Sequence, residues 1–139
     1  CILICPNNAI KIRWNQTIPI FLENMIEYTM GALKKKAGRT LFLNFLTDIS
    51  PACDCKPLND APFVRNIGVV ASKDPVAIDQ VSVDLVNQEP ALAESAFNTN
   101  IKPGEDKFRK IYPKVDWQIQ LDYAETLGLG TRKYELLTI

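Results

Sequence analysis

The apolar run at residues 40–46, which is followed at once by a polar loop, constrains the fold more than any other feature of this sequence. Asn44 is the only amide in the stretch TLFLNFL, whose length and composition suit a strand buried on both faces. The next residues, TDISPACDCKPLND at 47–60, combine turn formers with cysteines and aspartates, which are common metal ligands. The sequence therefore predicts a core strand that ends in a loop with the character of a binding site.

A second strand and a capped helix follow that loop. FVRNIGVVAS at residues 63–72 predicts a strand centred on 67–71, and Asp74 and Pro75 then suit the N-cap and the first position of a helix. If the two strands are parallel neighbours, Asp48 in the loop and Asp74 emerge at the same sheet edge, where open α/β sheets bind ligands. An antiparallel pairing would separate them. Asp48 and Asp74 are therefore candidates for a ligand-binding edge.

The rest of the pattern is mainly helical. We expect further helices after Thr17, at residues 105–111 and after Asp116, with a shorter one at residues 91–97 and a last strand at 134–139. Because strands and helices are interleaved, the predicted fold is α/β: a layered sheet, at least partly parallel, flanked by helices in a single domain.

Three consecutive lysines follow the first amphipathic segment. Lys34, Lys35 and Lys36 suit the last turn of that helix, where cations interact well with the helix dipole, and Gly38 suits its end. An anion-binding site is the alternative interpretation. We favour a solvated helix end, because basic runs commonly mark helix C-termini.

Charge and composition exclude several function classes. The 16 basic and 16 acidic residues balance, which argues against a nucleic-acid-binding surface, and no apolar run approaches the roughly 20 residues of a membrane span. The chain has no histidine, so Ser-His and Cys-His catalysis and histidine-ligated zinc are excluded within it. It begins at Cys1 rather than at methionine, so we expect a piece of a longer protein, and these exclusions apply to the piece alone.

Cys1 and Cys5 have the spacing C-x₃-C-P, the closing half of the bacterial ferredoxin run C-x₂-C-x₂-C-x₃-C-P. In that run the fourth cysteine serves a different cluster from the first three when two clusters are present. Cys1 and Cys5 would then each ligate a separate 4Fe–4S cluster, with the other ligands upstream. Residues 1–12 are thus predicted to end a ferredoxin-type module, and residues 13–139 to form the α/β domain. The alternative is a pair of buried thiols.

Cys53 and Cys55 form a second candidate metal site. Residues two apart in an extended segment point the same way, so both sulfurs can face one zinc or iron ion, with Asp60 as a further ligand. Nearby carboxylates raise the pKa of a thiol, which disfavours an unmetallated nucleophile, whereas a metal deprotonates the thiol outright. The alternatives are inert thiols, a disulfide, or one closed zinc or iron–sulfur site built from all four cysteines.

Several segments carry a family resemblance, above all CPNNAIKI, LFLNFLTDISPACDC and DAPFVRNIGVVASKDPVAIDQVSVDLV. With them the chain resembles the C-terminal portion of the uncharacterised iron–sulfur centre proteins, a domain-of-unknown-function family. The resemblance implies a ferredoxin module inserted in a larger α/β protein. This chain departs from that pattern in lacking the upstream C-x₂-C-x₂ part.

Together these patterns predict an iron–sulfur protein piece with an electron-transfer or redox role, a redox partner protein and a cytoplasmic location, since free cysteines in a domain of this size suit a reducing compartment. The alternative is a non-redox α/β domain that binds a metal or a small ligand. A third possibility is an enzyme domain in which Asp60, Asp74 and the loop form a ligand pocket, and the sequence indicates no substrate or reaction for it.

Overall fold

The computed structural model describes residues 6–7, 9, 16–36, 38–52, 60–93, 95–97 and 101–139 of the chain. Six elements follow one another in the described part: α1 (Ile18–Leu33), β1 (Phe42–Leu46), β2 (Gly68–Ser72), α2 (Pro75–Gln88), α3 (Lys107–Ile111) and α4 (Gln118–Thr126). The predicted mixture of helices and strands is confirmed. None of the described helices has both the length and the apolar character needed to cross a bilayer.

Helix α1 begins where the sequence predicts. Thr17 is the extended N-cap residue and a proline occupies the first turn, while Leu22 and Ile26, one turn apart, are buried. The helix ends at Leu33, earlier than predicted, and the backbone turns through Lys35, which has a positive φ of 67°. The three lysines therefore follow the helix instead of forming its last turn.

The sheet consists of β1 and β2, which pair antiparallel with Phe42 opposite Ser72 and Leu46 opposite Gly68. The parallel pairing considered for these two strands is therefore wrong, and a parallel component of the sheet is not confirmed. A parallel return needs a long crossover, usually a helix. The described parts of the connection contain none, and the chain instead turns back on β1, with Ile67 donating its backbone N–H to the carbonyl of Leu46 at 2.8 Å.

Only one face of this sheet is covered within the described part of the chain. Burial alternates along both strands, and the outward side chains of Leu43, Phe45 and Val69 are 51%, 68% and 55% exposed. The prediction that β1 is buried on both faces is therefore wrong. Asn44 points the other way, toward α2, where its amide nitrogen donates to the side chains of Asp79 and Ser82 at 3.0 Å each.

Helix α2 organises the core. Its buried residues join two clusters, one shared with Phe63 and the other with the facing sides of α1 and α4. In the first cluster the ring of Phe63 makes edge contacts with Phe97 at 5.5 Å and Phe108 at 6.2 Å between centroids, a geometry that aromatic pairs favour. The second cluster joins three helices: it contains Ile26 of α1, Val76 of α2, and Leu121 and Ala124 of α4.

Two predicted elements are absent from the described residues. Residues 91–93 and 95–97 form turns rather than a helix, and 134–139 do not form a strand. The C-terminal segment has no strand to pair with in the described part. It is held instead by side chains: Arg132 donates to Gln80 of α2 at 2.7 Å, and the hydroxyl of Tyr134 donates to Asp84 at 2.8 Å. Burial and that hydrogen bond raise the pKa of Tyr134 to about 12.

Candidate functional site

The four cysteines lie outside the residues that the structure describes, so Cys1, Cys5, Cys53 and Cys55 stay predicted ligands. Asp60 borders the undescribed loop segment; it is exposed, and its Oδ1 accepts a hydrogen bond from the backbone N–H of Ala61 at 2.8 Å. Within the described ranges, no group of three or more cysteine, aspartate or glutamate side chains lies close enough to hold a metal ion.

Asp48 and Asp74 lie at opposite ends of the strand pair. Asp48 is exposed, has a positive φ of 50° and donates its backbone N–H to Oδ1 of Asn66 at 2.8 Å. It follows the end of β1 that pairs with the start of β2, whereas Asp74 follows the far end of β2. The five-residue ladder separates these ends by roughly 15 Å. The structure therefore does not bring the two aspartates together.

The Asp74 carboxylate is occupied by backbone donors. Oδ1 accepts from the N–H groups of Val76 and Ala77 at 2.8 and 3.0 Å, which caps α2, and Oδ2 accepts from the N–H of Thr131 at 2.9 Å. A Cβ built on Gly130 would lie 2.0 Å from Oδ1, so this approach requires glycine. We call this arrangement of Asp74, Gly130 and Thr131 the cap junction; it ties the C-terminal segment to the start of α2.

Next to the cap junction lies a cavity of about 550 Å³, which we call the lysine-lined cavity. Cavities of this size accommodate small organic ligands. The end of α1, the start of β1, the turn between β2 and α2, and the turn after α4 form its walls. Four lysines contribute to its lining: Lys34, Lys35, Lys36 and Lys73. Its apolar wall comes from Met30, Leu33, Phe42, Pro75 and Leu129.

The antiparallel register explains why these lysines meet. Phe42, at the start of β1, pairs with Ser72, the residue before Lys73. The turn that carries Lys34 to Lys36 precedes β1 in the sequence, so both basic segments lie at the same end of the sheet. On the opposite wall, Gly128 has a φ of 71° and Leu129 donates its N–H to the carbonyl of Ala124 at 3.0 Å, which closes α4 and sets Leu129 against the cavity.

The described residues of the cavity lining carry positive charge and include no aspartate or glutamate. In the described part of the chain, no ion pair and no side-chain hydrogen bond uses the ammonium group of any of the four lysines. Asp74 lies in the sequence between Lys73 and Pro75 but is not part of the lining, because its carboxylate faces the cap junction. The arrangement is suited to an anionic group that enters beside an apolar surface.

Sequence reasoning missed this cavity. The lysine run favours a solvated helix end, with an anion site as the alternative, and no local pattern groups Lys73 with it. The signal that joins them is the strand register, because Lys73 directly follows β2 and the lysine run precedes β1. In a parallel pair these positions lie at opposite ends, whereas in an antiparallel pair they lie at one end.

Comparison with known proteins identifies the family of this chain. A family model described as a domain of unknown function, DUF362, matches residues 4–84, more than half of the 139-residue chain. The chain belongs to the DUF362 family. The part that matches the DUF362 model contains α1, both strands, most of α2 and all four lysines of the cavity. Neither a curated protein nor a solved structure matches the chain.

The expected membership of a domain-of-unknown-function family is thereby confirmed. The DUF362 match includes Cys5, Cys53 and Cys55 but not Cys1. The part of the cavity wall formed by Leu129 also lies outside the match. The family description itself names no cofactor, substrate or reaction.

Proposed function

We propose that this chain is part of an iron–sulfur protein with an electron-transfer role, in which Cys1 and Cys5 each supply one ligand to a 4Fe–4S cluster. The observation that carries the proposal is the spacing C-x₃-C-P at residues 1–6, continued by the ferredoxin-like NNAI. Residues 1–12 then end a ferredoxin-type module, and residues 13–139 form the α/β domain beside it. A bound cluster would supply one-electron chemistry, and a redox partner protein would exchange the electron in the cytoplasm.

Cys53, Cys55 and Asp60 are proposed as a separate site for zinc or iron. The chemistry of the donor set supports it, since two thiolates and a carboxylate are suitable ligands for either metal. We also propose that the sheet is partly parallel, which would require strands in addition to β1 and β2.

Metal and acid-labile sulfide analysis of the anaerobically purified protein, at its natural length, tests both assignments. We expect iron, sulfide and a broad visible absorbance that a Cys1→Ser, Cys5→Ser variant reduces and a Cys53→Ser, Cys55→Ser variant leaves in place. The second variant should instead lose the separate metal. The two variants are therefore controls for each other. An unaltered iron and sulfide content in the first variant would exclude the ferredoxin-type assignment.

A second candidate function is the binding of a small organic ligand, and the lysine-lined cavity favours it. A thermal-shift screen of small organic molecules would test it, with Met30→Trp as a variant that fills the cavity from α1. Hits that bind in the cavity should be lost in Met30→Trp and kept in Tyr28→Trp, because Tyr28 is 83% exposed on the same helix and is not part of the lining. Hits that survive both substitutions would place the ligand elsewhere.

A further inference from the structure

We infer that the lysine-lined cavity binds an organic anion: a molecule with an apolar body and a phosphate, sulfonate or carboxylate head. This inference rests on the small-ligand function proposed above and names the chemical class of the ligand. It depends on the charge of the cavity, on its apolar wall and on the conformation of one lysine.

The charge is the first argument. Lys34, Lys35, Lys36 and Lys73 all line one cavity, and in the described part of the chain no ion pair involves any of their ammonium groups. Like charges collected at one site repel one another, and none of these four has an acidic partner of the kind that Glu105 provides for Lys110. An anionic head group would relieve this repulsion and would gain charge-assisted hydrogen bonds.

The apolar wall is the second argument, because it separates an organic anion from a bare inorganic one. Met30, Leu33, Phe42 and Leu129 line the same cavity as the lysines. A phosphate ion alone would leave these side chains in contact with water, whereas an aromatic or aliphatic body would cover them. The stems of the lysines add further apolar surface below their charged ends.

The cap junction is consistent with a cavity that attracts an anion through its lysines. Asp74 is the carboxylate nearest in sequence to the cavity residues Lys73 and Pro75, and its two oxygens accept hydrogen bonds from three backbone N–H groups. Two of these three bonds occupy N–H groups in the first turn of α2, those of Val76 and Ala77. The anion is therefore expected to meet lysine side chains, and not the helix N-terminus.

Lys35 adds a third observation. Its φ of 67° lies in the left-handed region, which is unfavourable for a residue with a Cβ and which glycine adopts freely. Helices commonly place glycine just after their end for this reason. A lysine at this position, with its side chain in the lining of the cavity, is what a site that needs the charge would retain.

A matched pair of fluorescent probes tests the inference on the full chain. 1-Anilinonaphthalene-8-sulfonate has an apolar body and a sulfonate head, and N-phenyl-1-naphthylamine is its uncharged counterpart. We expect the sulfonate to bind about tenfold more tightly, with an affinity that falls as salt rises. A Lys36→Gln, Lys73→Gln variant should weaken the sulfonate about tenfold and leave the uncharged probe unaffected.

Two control variants make the outcome decisive. Lys114→Gln removes an exposed lysine outside the cavity and should change neither affinity, and Phe45→Ser removes apolar surface from the open face of the sheet and should also change neither. Amide chemical shifts at Leu33, Lys73 and Leu129 should move on titration and locate the probe.

The inference and the function on which it rests can fail separately. If both probes bind in the cavity with equal affinity and the lysine variant changes neither, the anionic class is overturned while the small-ligand function stands. If neither probe binds, or if Phe45→Ser abolishes the binding of both, the cavity is not a ligand site and both proposals are overturned.

Discussion

The carboxylate of Asp74 occupies the space in which a side chain at Gly130 would lie. A Cβ at Gly130 would be 2.0 Å from Oδ1, 2.7 Å from Cγ and 2.9 Å from Oδ2 of Asp74. These two residues are 56 positions apart in the sequence, and their contact joins the turn after α4 to the start of α2. Since three backbone N–H groups hold the carboxylate in place, it has little freedom to move aside.

Replacement of Gly130 by alanine is therefore expected to displace Asp74 and weaken the cap of α2. Loss of a helix cap costs about 1–2 kcal/mol, so we expect the free energy of unfolding to fall by about that amount in urea denaturation. Gly31→Ala is the matched control, because its Cβ would meet nothing within 4 Å and its position is helical. That control should gain up to about 1 kcal/mol.

An Asp74→Ala background shows whether the two residues act through the same contact. The cap is then already lost and the atoms that Gly130→Ala would strike are gone, so the second substitution should cost much less than it does alone. Additive costs in this double-mutant cycle would contradict the proposed origin of the strain.

Asp79 should make stability depend on pH. Much of this residue is exposed, yet the protein atoms crowded around its carboxyl group raise its pKa above the usual 3.8, and the hydrogen bond from Asn44 opposes that rise in part. The folded state thus binds the proton more tightly than the unfolded state does. Stability contributed by the protonated form is lost as pH rises from 3.8 through the folded pKa.

An Asp79→Asn variant keeps the oxygen that accepts from Asn44 and cannot ionise. Its advantage over the parent in free energy of unfolding should grow with pH above 3.8 and then level off. Urea denaturation at a series of pH values measures this difference. A constant difference in Asp79→Asn would rule out the effect of burial.

Lys107 is fully buried, and its ammonium group donates to the carbonyl of Asn87 at 2.6 Å near the end of α2. Burial lowers its pKa, while Glu105 and Glu89 act in the opposite direction. Lys107→Ala should cost about 2–4 kcal/mol of unfolding free energy, because the packed stem and the hydrogen bond are both lost.

Lys107→Met separates the two contributions, since methionine retains most of the packed volume and cannot donate. We expect it to cost roughly 1 kcal/mol. Lys114→Ala, at an exposed lysine, should stay within about 0.5 kcal/mol of the parent. Equal losses in the alanine and methionine variants would mean that the hydrogen bond, and not the packing of the stem, accounts for the stability.

Lys35→Gly should raise stability and lower anion binding together. Glycine relieves the left-handed backbone at a φ of 67°, and after the greater freedom of glycine in the unfolded chain is subtracted, a gain of roughly 0.5–1 kcal/mol is expected. The same change removes one charge from the cavity lining. Lys34→Gly is the control for the backbone effect, because Lys34 has an ordinary φ of −52° and should gain no stability. Thermal unfolding and the sulfonate titration measure the two effects.

The elements that depend on local signals were predicted from the sequence. Asp74 and Pro75 predict the start of α2. In the structure the Asp74 side chain accepts hydrogen bonds from the backbone N–H groups of Val76 and Ala77. Thr17 and the apolar residues that recur at three- and four-residue spacing, with Leu22 among them, indicate α1. These signals are strong because the residues that cap a helix adjoin it in the sequence.

The pairing of β1 and β2 could not be read in that way, because the direction of a strand depends on how the chain returns between residues 46 and 68. Residues 134–139 carry an apolar pattern that suits a strand, but a strand also needs a neighbour for its backbone hydrogen bonds. The candidate site followed from the pairing. Lys73 and Lys36 lie at the same end of the strand pair only in the antiparallel register, so the cavity cannot be predicted without that register.

The open face of the sheet also determines how this chain behaves at high concentration. Leu43, Phe45 and Val69 present apolar surface to water, and among the described residues neither strand has a second neighbour along its edge. Exposed apolar strands with free edges are the places where chains stack on one another. Storage stability, yield and turbidity are therefore expected to depend on this face, and a lysine in place of Phe45 should improve all three without touching the cavity.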